Sequence, residues 1–246
     1  MRLLIKYASR QRPIAFMRGI HSITNTISTK NYQILVTADI DDVQMNCYDI
    51  KRELAYFPHV KIVYGKSDSK VSAINRDMEQ ANPWDLLINF SDDMNFIVEG
   101  WDKIMIEAHE KRWGDSLDIF AHWNDGYVGN SLPTMSIMGY DYYKRDNYIY
   151  YPEYKSFSCD SEAYYVAIAR DRYYYFPQVL FHHEHPANNN KILNDELYRV
   201  NSLHTPHDVK LYFNRLHRDF DLNLPEGTYK AWDWAKQKYD LNGKEK

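Results

Sequence analysis

The sequence of 246 residues has only nine glycines and lacks both glycine-rich signatures that bind nucleotide phosphates through backbone amides. No G-x-G-x-x-G follows the first apolar run, and no G-x-x-x-x-G-K-[ST] occurs. These absences argue against a dinucleotide oxidoreductase and against a P-loop enzyme. A phosphate group bound by this chain would therefore need another positive partner, such as a divalent metal ion held by carboxylates.

Cysteine, long apolar runs and excess positive charge are also missing. The two cysteines, Cys47 and Cys159, form no C-x-x-C and no metal-binding spacing, which is typical of a reducing compartment. No apolar run has the length of a membrane span, and the opening MRLLIKYASRQRP contains no export signal. The net charge of −4 gives no electrostatic footprint for bulk nucleic acid. We therefore expect a cytoplasmic protein without a membrane span.

Four apolar runs, each followed by a helical pattern, occupy the first part of the chain. The runs are LLIKY, YQILVTA, VKIVYG and DLLINF. After the first run, Phe16, Ile20 and Ile23 recur at helical spacing, and Pro13 suits a first helical turn. Strands that alternate with helices predict an α/β fold with a mostly parallel sheet covered by helices on both sides. The length suits one large domain, or one domain with an extension.

Polar residues follow each of the four predicted strands. They are Ser9, Arg10 and Arg12 after the first, Asp39 and Asp41 after the second, Lys70 and Asn75 beyond the third, and Asp92 and Asp93 after the fourth. Ligands of open α/β sheets bind outside the carboxyl ends of the strands, so these residues are candidates for a binding site. Polar loop residues are also common at strand ends without any function.

Asp92 and Asp93 are adjacent carboxylates at the end of an apolar run. In an extended segment, neighbouring side chains point to opposite sides. One carboxylate can therefore ligate a metal ion while the other reaches a nearby hydroxyl or water.

Four segments, taken together and in this order, resemble the GT-A glycosyltransferases, close to the family-2-like enzymes. They are VYGKSDSKVSAINRDM, INFSDDM, CDSEAYYVA and FHHEHP, and the resemblance covers roughly residues 1–190. In that family a motif written D-x-D closes the fourth strand and binds Mn²⁺ or Mg²⁺, and through the ion the diphosphate of a nucleotide sugar. This chain has Ser91, Asp92 and Asp93 there. The resemblance implies that Asp93 ligates the metal and that Asp92 lies beside ribose or sugar hydroxyls.

The resemblance also implies a donor site for a UDP-sugar. The segment KYASRQRP resembles the first-strand loop in which backbone and an arginine lie beside the nucleotide, which assigns Ser9, Arg10 and Arg12 to the donor. Asp39 matches the second-strand carboxylate that accepts the N3 hydrogen of uracil, with Asp41 as the nearby alternative. Lys70 and Asn75 match the segment that runs under the nucleotide.

Asp160 and Glu162 lie at the start of a predicted helix in SFSCDSEAYYVAIA. Carboxylates are favoured there by capping and by the helix dipole, without any further function. An inverting glycosyltransferase needs a general base to take the proton of the acceptor hydroxyl. Asp160 stands where the resembling enzymes carry that base, and Glu162 is the second candidate.

The segment FHHEHP holds three histidines within four residues. A packed or solvated histidine is the simpler interpretation of each, but imidazole is a good further ligand for a Mn²⁺ ion held by carboxylate and phosphate oxygens. GT-A enzymes often close the metal site with a histidine from this region. His183 and His185 lie on one side of an extended segment. We expect His185 to be the ligand, with His183 as the alternative.

The 22 tyrosines are concentrated between residues 140 and 175. They predict either a β-rich lobe with half-buried rings or an acceptor surface on which sugars stack. We assign residues 1–200 to the GT-A domain, with the nucleotide-sugar half at about 1–110 and the acceptor half at about 111–200. Residues 201–246 are expected to form a helical extension packed on that domain.

Three functions stay open at this stage. The first is a metal-dependent, hexosyltransferase-like enzyme that moves a sugar from a UDP-linked donor to a hydroxyl of a glycan or another acceptor, modified nucleic acid included. The second is a sugar-phosphate nucleotidylyltransferase, although such enzymes would open with a glycine-rich loop, and YASRQRPIAF has no glycine before Gly19. The third is a non-catalytic protein that binds glycans or nucleotides.

Overall fold

The computed structural model describes residues 1–185 and 195–246. Strands in these ranges form one large sheet and one small two-stranded sheet. They are β1 (Leu3–Ser9), β2 (Tyr32–Asp39), β3 (Val60–Gly65), β4 (Leu86–Phe90), β5 (Met94–Phe96), β6 (Phe120–Asn124), β7 (Ile137–Gly139), β8 (Tyr173–Val179) and β9 (Phe181–His183). The large sheet has the order β3-β2-β1-β4-β7-β6-β8, and β5 pairs with β9.

The sheet is mostly parallel, as the sequence predicted. Strands β1 to β4 pair in parallel, β6 pairs with β8 in parallel, and β7 runs antiparallel to both of its neighbours. Strand β1 is buried along almost its whole length because helices cover both faces of the sheet. The α/β architecture with a mostly parallel sheet is confirmed.

Helices lie between the strands and after β9. They are α1 (Pro13–Thr26), α2 (Tyr48–Leu54), α3 (Lys70–Asn75), α4 (Trp101–Trp113), α5 (Tyr140–Asp146), α6 (Cys159–Ala169), α7 (Glu196–Ser202), α8 (Thr205–His217) and α9 (Asp233–Lys238), with short 3₁₀ helices at Met78–Gln80 and Asp219–Asp221. Ser69 caps α3: its hydroxyl accepts the N–H of Ser72, and the Ser72 hydroxyl accepts the N–H of Ser69. Throughout the described ranges, we find no helix with both the length and the apolar character needed to span a bilayer.

Two hydrophobic cores cover the two faces of the large sheet. Neighbours along β1 alternate between them, since Leu3 and Ile5 pack in one core and Leu4 packs in the other. Four residues of the tyrosine-rich region belong to the second core, namely Tyr142, Tyr143, Tyr150 and Tyr154. These four rings therefore stabilise the fold rather than form a surface.

The C-terminal helices α8 and α9 pack on α6. A third core joins Val166 of α6 to Leu216, Phe220 and Trp232. A buried ion pair between Arg215 of α8 and Glu162 of α6 joins the same two helices, with 2.7 Å between Nη2 and Oε1.

Candidate active site

A cleft of about 420 Å³ opens at the carboxyl ends of the parallel strands. Ser9 at the end of β1 lies beside Ala38 of β2, and Tyr7 lies beside Phe90 at the end of β4, so the residues that follow these strands meet at one edge. Most of the predicted site residues line this cleft: Ser9, Arg10, Arg12, Asp39, Asp41, Lys70, Asp92, Asp93 and His185. The placement agrees with the rule that ligands bind outside the carboxyl ends.

Asp39 lines the cleft and is 7% exposed. Its Oδ2 is 2.5 Å from Nη1 of Arg10, and Arg10 also reaches the exposed Asp41 at 3.0 Å. Its Oδ1 accepts no hydrogen bond from any described residue. A buried carboxylate oxygen without a donor is costly, so this atom is suited to accept an N–H from a ligand.

Arg76, which the sequence did not single out, lies beside the carboxylate of Asp39. Its Nη1 lies 3.6 Å from Oδ1 of Asp39, its Nε lies 3.1 Å from Oδ2 of Asp77, and its Nη2 donates to the carbonyl of Ala38 at 2.9 Å. Gly65 leaves the space for this guanidinium, because a Cβ there would lie 3.0 Å from its central carbon. No local motif marks Arg76, since its partners Asp39 and Ala38 come from β2, far away in the sequence.

The adjacent carboxylates Asp92 and Asp93 have opposite electrostatic environments. Burial raises the pKa of Asp92 to about 7, against the hydrogen bond from Ser9 (3.2 Å) and the nearby charge of Arg12. Burial also acts on Asp93, but the contact with His183 and the charge of Lys70 hold the pKa of Asp93 well below its usual range. Asp93 is therefore a carboxylate at neutral pH and a suitable cation ligand.

His183 is the histidine that faces Asp93. The two-stranded pair β5–β9 sets His183 opposite Met94, and the N–H of Glu184 donates to the carbonyl of Asp93 at 2.6 Å. His183 Nε2 consequently lies 3.4 Å from Oδ1 of Asp93. His185, which the sequence favoured, lines the cleft nearby, and its ring packs edge-on against Tyr198. The strand pairing that sets His183 against Asp93 cannot be read from the segment itself.

Asp125 was also missed, and it lies on the other side of the His183 ring. Its Oδ2 is 3.8 Å from Nδ1 of His183 and accepts the hydroxyl of Thr134 at 2.9 Å. Its Oδ1 accepts the N–H groups of Tyr127 and Val128 at 2.9 and 2.7 Å. A metal-binding histidine is commonly oriented by a carboxylate at its second nitrogen, and Asp125 has that position.

Asp93 and His183 fit a divalent cation as part of its ligand shell. Two atoms that each lie about 2.1 Å from one ion are separated by about 3 to 3.5 Å, and 3.4 Å separates Asp93 Oδ1 from His183 Nε2. Across residues 1–185 and 195–246 there is no group of three or more His, Cys, Asp or Glu side chains arranged for a metal. The remaining positions of such an ion would fall to ligand phosphate oxygens and water, as is usual for Mg²⁺.

Asp160 lies in the first turn of α6, outside the lining of the cleft. Burial raises its pKa, while the N–H of Ser161 and the charges of Lys70 and His183 act in the opposite direction. Ser158, just before α6, has left-handed backbone (φ 60°), a strained conformation for a non-glycine residue. Asp160 is thus a partly buried carboxylate within electrostatic reach of the residues around Asp93.

Glu162 and Asn75 have roles in the fold. Glu162 is 3% exposed, accepts a bidentate pair of hydrogen bonds from Arg215 and accepts the hydroxyl of Tyr154 at 2.9 Å. Asn75 accepts the N–H groups of Ile149 and Tyr150 at 2.9 and 3.1 Å, which ties α3 to the chain after α5. The structure does not bring either side chain to the cleft lining.

Helix α7 forms one wall of the cleft, which the sequence did not predict. Arg12 makes two 2.7 Å hydrogen bonds to Asp195, the N-cap of α7, and its guanidinium lies 4.1 Å from the centre of the Tyr198 ring. The Tyr198 hydroxyl donates to Oδ2 of Asp93 at 2.8 Å. The C-terminal part of the chain therefore contributes side chains to the site.

Comparison with known proteins gives structural but no sequence relatives. No protein-family model and no curated protein sequence matches the chain. The crystal structure of S. aureus TarS 1-349 matches 91% of this chain over 73% of its own length, with a TM-score of 0.61 and 13% identity. The same TarS fragment in complex with UDP-GlcNAc matches 90% of this chain over 73% of its own length, with a TM-score of 0.60 and 13% identity.

A mannosyltransferase, PcManGT from Pyrobaculum calidifontis in complex with GDP-Man and Mn²⁺, matches 91% of this chain over 66% of its own length, with a TM-score of 0.64 and 10% identity. The chain spans 41% of another TarS structure. At such identities the similarity concerns the fold alone. Together with the parallel sheet and the position of the cleft, it shows that the chain has the GT-A glycosyltransferase fold.

Proposed function

We propose that the protein is a glycosyltransferase that moves a sugar from a nucleotide-diphosphate donor, UDP-linked, to an acceptor hydroxyl with the help of Mn²⁺ or Mg²⁺. The observation that carries the proposal is the layout of the cleft. Asp39 offers the cleft a buried oxygen that has no hydrogen-bond donor among the described residues, and Asp93, which also lines the cleft, faces His183. Solved structures with a similar fold hold UDP-GlcNAc in one case and GDP-Man with Mn²⁺ in another, which supports this reading.

In this proposal the nucleotide base of the donor binds at Asp39. Asp39 Oδ1 accepts the N3 hydrogen of uracil, and Arg10 and Arg76 hold the carboxylate in place. Asp92 Oδ1 has no hydrogen-bond donor within the described part of the chain. It is therefore free to accept a ribose or sugar hydroxyl.

The diphosphate binds beside Asp93 and His183, which would hold the cation. When bound, the cation would neutralise the charge of the leaving nucleoside diphosphate. Lys70 also lines the cleft, and its positive charge lowers the pKa of Asp93. Asp125 lies 3.8 Å from Nδ1 of His183, on the side of the ring that a carboxylate commonly occupies beside a metal-binding histidine.

Asp160 is the proposed base. It takes the proton of the acceptor hydroxyl as the acceptor oxygen bonds to the anomeric carbon, and the carbon–oxygen bond to the diphosphate breaks with its electron pair leaving on the nucleotide. Attack from the face opposite the leaving group inverts the anomeric centre. Burial raises the pKa of Asp160 toward the operating pH, which makes it a better base than a solvated carboxylate.

Nucleotide release from a donor panel tests the proposal without knowledge of the acceptor. The protein is incubated with Mn²⁺ and UDP-glucose, UDP-galactose, UDP-N-acetylglucosamine or GDP-mannose, with water as acceptor, and free UDP or GDP is measured. We expect slow Mn²⁺-dependent release of UDP from one donor and its loss in Asp93→Ala. Calorimetry with UDP and with nucleoside triphosphates completes the test. Binding of triphosphates alone would favour a nucleotidylyltransferase, and binding of neither would favour a non-catalytic protein.

A further inference from the structure

Asp208 of α8 is fully buried and binds three consecutive backbone amides. Its carboxylate accepts the N–H groups of Lys155, Ser156 and Phe157 at 2.9, 2.7 and 2.8 Å. His207 Nδ1 is a fourth neighbour, 2.9 Å from Oδ1. Hydrogen bonds to a charged acceptor are about twice as strong as neutral ones, and three of them converge on one group. Asp208 therefore fixes the path of the backbone at residues 155–157.

The segment that Asp208 holds belongs to the active site. Ser156 and Phe157 line the cleft. The carbonyl of Lys155 accepts the N–H of Val71 at 3.2 Å, next to Lys70 in the first turn of α3. The segment then passes through Ser158, whose backbone is left-handed, into α6 and Asp160.

A second contact from α8 reaches α6 on the far side of Asp160. Arg215 Nε and Nη2 donate to the Glu162 carboxylate at 2.7 to 3.0 Å, and both side chains are almost fully buried. In the sequence, Asp160 therefore lies between two parts of the chain that are hydrogen-bonded to α8. These are residues 155–157 before it and Glu162 after it. A strained backbone persists only where its surroundings hold it, and α8 supplies that support on both sides of Ser158.

We propose that Asp208 is a positioning residue for catalysis: it sets the 155–157 segment and thereby the place of Asp160 relative to the acceptor oxygen. This inference rests on the proposed function insofar as Asp160 is the base. The C-terminal helix α8 is then part of the catalytic unit, although none of its side chains is among those that line the cleft in the described part of the chain. Asp39 and Asp93, which the proposed function assigns to the nucleotide, follow β2 and β4, and Asp208 bonds to neither of these elements but to residues 155–157, so we expect UDP affinity to change less than kcat.

Asp208→Asn is the test variant and Asp219→Asn is its matched control. An amide offers one acceptor oxygen where the carboxylate offers two, and it turns an NH₂ group toward a backbone N–H. Asp219 also accepts three donors, from Lys230, Trp232 and Lys236, but none of them lies in the active site. Both changes should lower Tm, whereas only Asp208→Asn should move the catalytic segment.

The readouts are kcat and KM for nucleotide release from the active donor, Mn²⁺-dependent UDP affinity, and amide hydrogen exchange. For Asp208→Asn we expect kcat to fall about 10- to 100-fold, because a misplacement of about 1 Å can cost that much. KM and UDP affinity should stay within about threefold. The amides of Lys155, Ser156 and Phe157 should exchange faster, and Asp219→Asn should keep the wild-type kcat.

A normal kcat in a folded Asp208→Asn variant, or an equal loss in Asp219→Asn, would overturn the positioning role. If Asp208→Asn does not fold, Asp208→Glu keeps the charge and moves the carboxylate by one methylene, and it must show the same selective loss of kcat. If the wild-type protein releases no nucleotide from any donor, the proposed function fails. The exchange rates then still decide whether Asp208 holds the segment.

Discussion

Tyr198 and Asp93 lie 105 residues apart in the chain, and the Tyr198 hydroxyl donates a 2.8 Å hydrogen bond to Oδ2 of Asp93. The bond connects α7 to the carboxylate at the end of β4. Arg12 stacks on the same tyrosine ring and pairs with Asp195 at the start of α7. Oδ1 of Asp93 is left facing Ser91 and His183. Tyr198 thus orients the proposed metal ligand.

Tyr198→Phe should weaken Mn²⁺-dependent UDP binding by about tenfold, because hydrogen bonds to a ligating carboxylate commonly have effects of that size. Phenylalanine keeps the ring that packs against Arg12 and His185. Calorimetric titration of UDP with and without Mn²⁺ measures the change. Tyr229→Phe, at an exposed tyrosine, is the control and should bind normally. Tighter binding in Tyr198→Phe would mean that the hydroxyl competes with the cation, contrary to this assignment.

Asp39→Ala should weaken UDP binding about 10- to 100-fold and narrow the preference for UDP over GDP. The base N–H loses its buried acceptor, and such a loss costs about 1–3 kcal/mol. Competition binding with UDP and GDP measures both effects. Asp41→Ala is the matched control, since the Asp41 side chain is exposed and pairs with the same Nη1 atom of Arg10 as Asp39 does. A larger loss of UDP affinity in Asp41→Ala would mean that Asp41, and not Asp39, binds the base.

Asp160→Asn should lower the rate of nucleotide release by roughly 10²–10⁴-fold, the range of acid–base assistance. Affinity for Mn²⁺ and for the donor should stay within about a factor of two, because the base acts on the acceptor. Asparagine keeps the volume of the side chain and can still accept a hydrogen bond in the first turn of α6. A normal rate in this variant would mean that Asp160 only stabilises the first turn of α6 and is not the base.

Glu162→Gln separates a fold role from a catalytic one. Its carboxylate is buried against Arg215, and breaking such a pair costs roughly 3 kcal/mol. We expect a clear loss in the free energy of unfolding, measured by urea denaturation. Under native conditions kcat should fall far less than in Asp160→Asn. Full stability together with a loss of kcat as large as that of Asp160→Asn would return Glu162 to the list of candidate bases.

Lys6 should make the stability depend on pH. It is fully buried beside Thr37 and the carbonyl of Ala73, and burial lowers its pKa from 10.5 to about 7. Between these values the unfolded chain binds one more proton than the folded chain, so the free energy of unfolding should rise with pH from about 7 to 10.5. The slope from this group is at most about 1.4 kcal/mol per pH unit.

Urea denaturation of Lys6→Met between pH 6 and pH 9 tests this. In the variant, the free energy of unfolding should rise less with pH than in the wild type, because the contribution of Lys6 is gone. The variant should be most stable relative to the wild type at the lower pH. Lys30→Met, at an exposed lysine, should keep the wild-type pH dependence. If the free energy of unfolding changed with pH equally in the wild type and in Lys6→Met, Lys6 would not be the source of the pH dependence.

The sequence by itself determined the first four strands and the edge of the sheet at which the cleft lies. Apolar runs such as VKIVYG and LLINF give the strands, and the polar residues after them fall at one edge, because parallel strands share a direction. Asp39, Asp92, Asp93 and Lys70 were found in this way. These signals are local, since a few neighbouring residues carry each of them.

Tertiary structure alone decided which side chains meet across long sequence distances. The β5–β9 pairing sets His183 against Asp93, α7 brings Tyr198 to Asp93, and α8 brings Asp208 to the segment before Asp160. Glu162 and Asp160 are two residues apart and look alike in the sequence, yet one pairs with Arg215 and the other lies near Lys70. The role of a carboxylate depends on the charges and donors that surround it in space, and chain neighbours supply few of them.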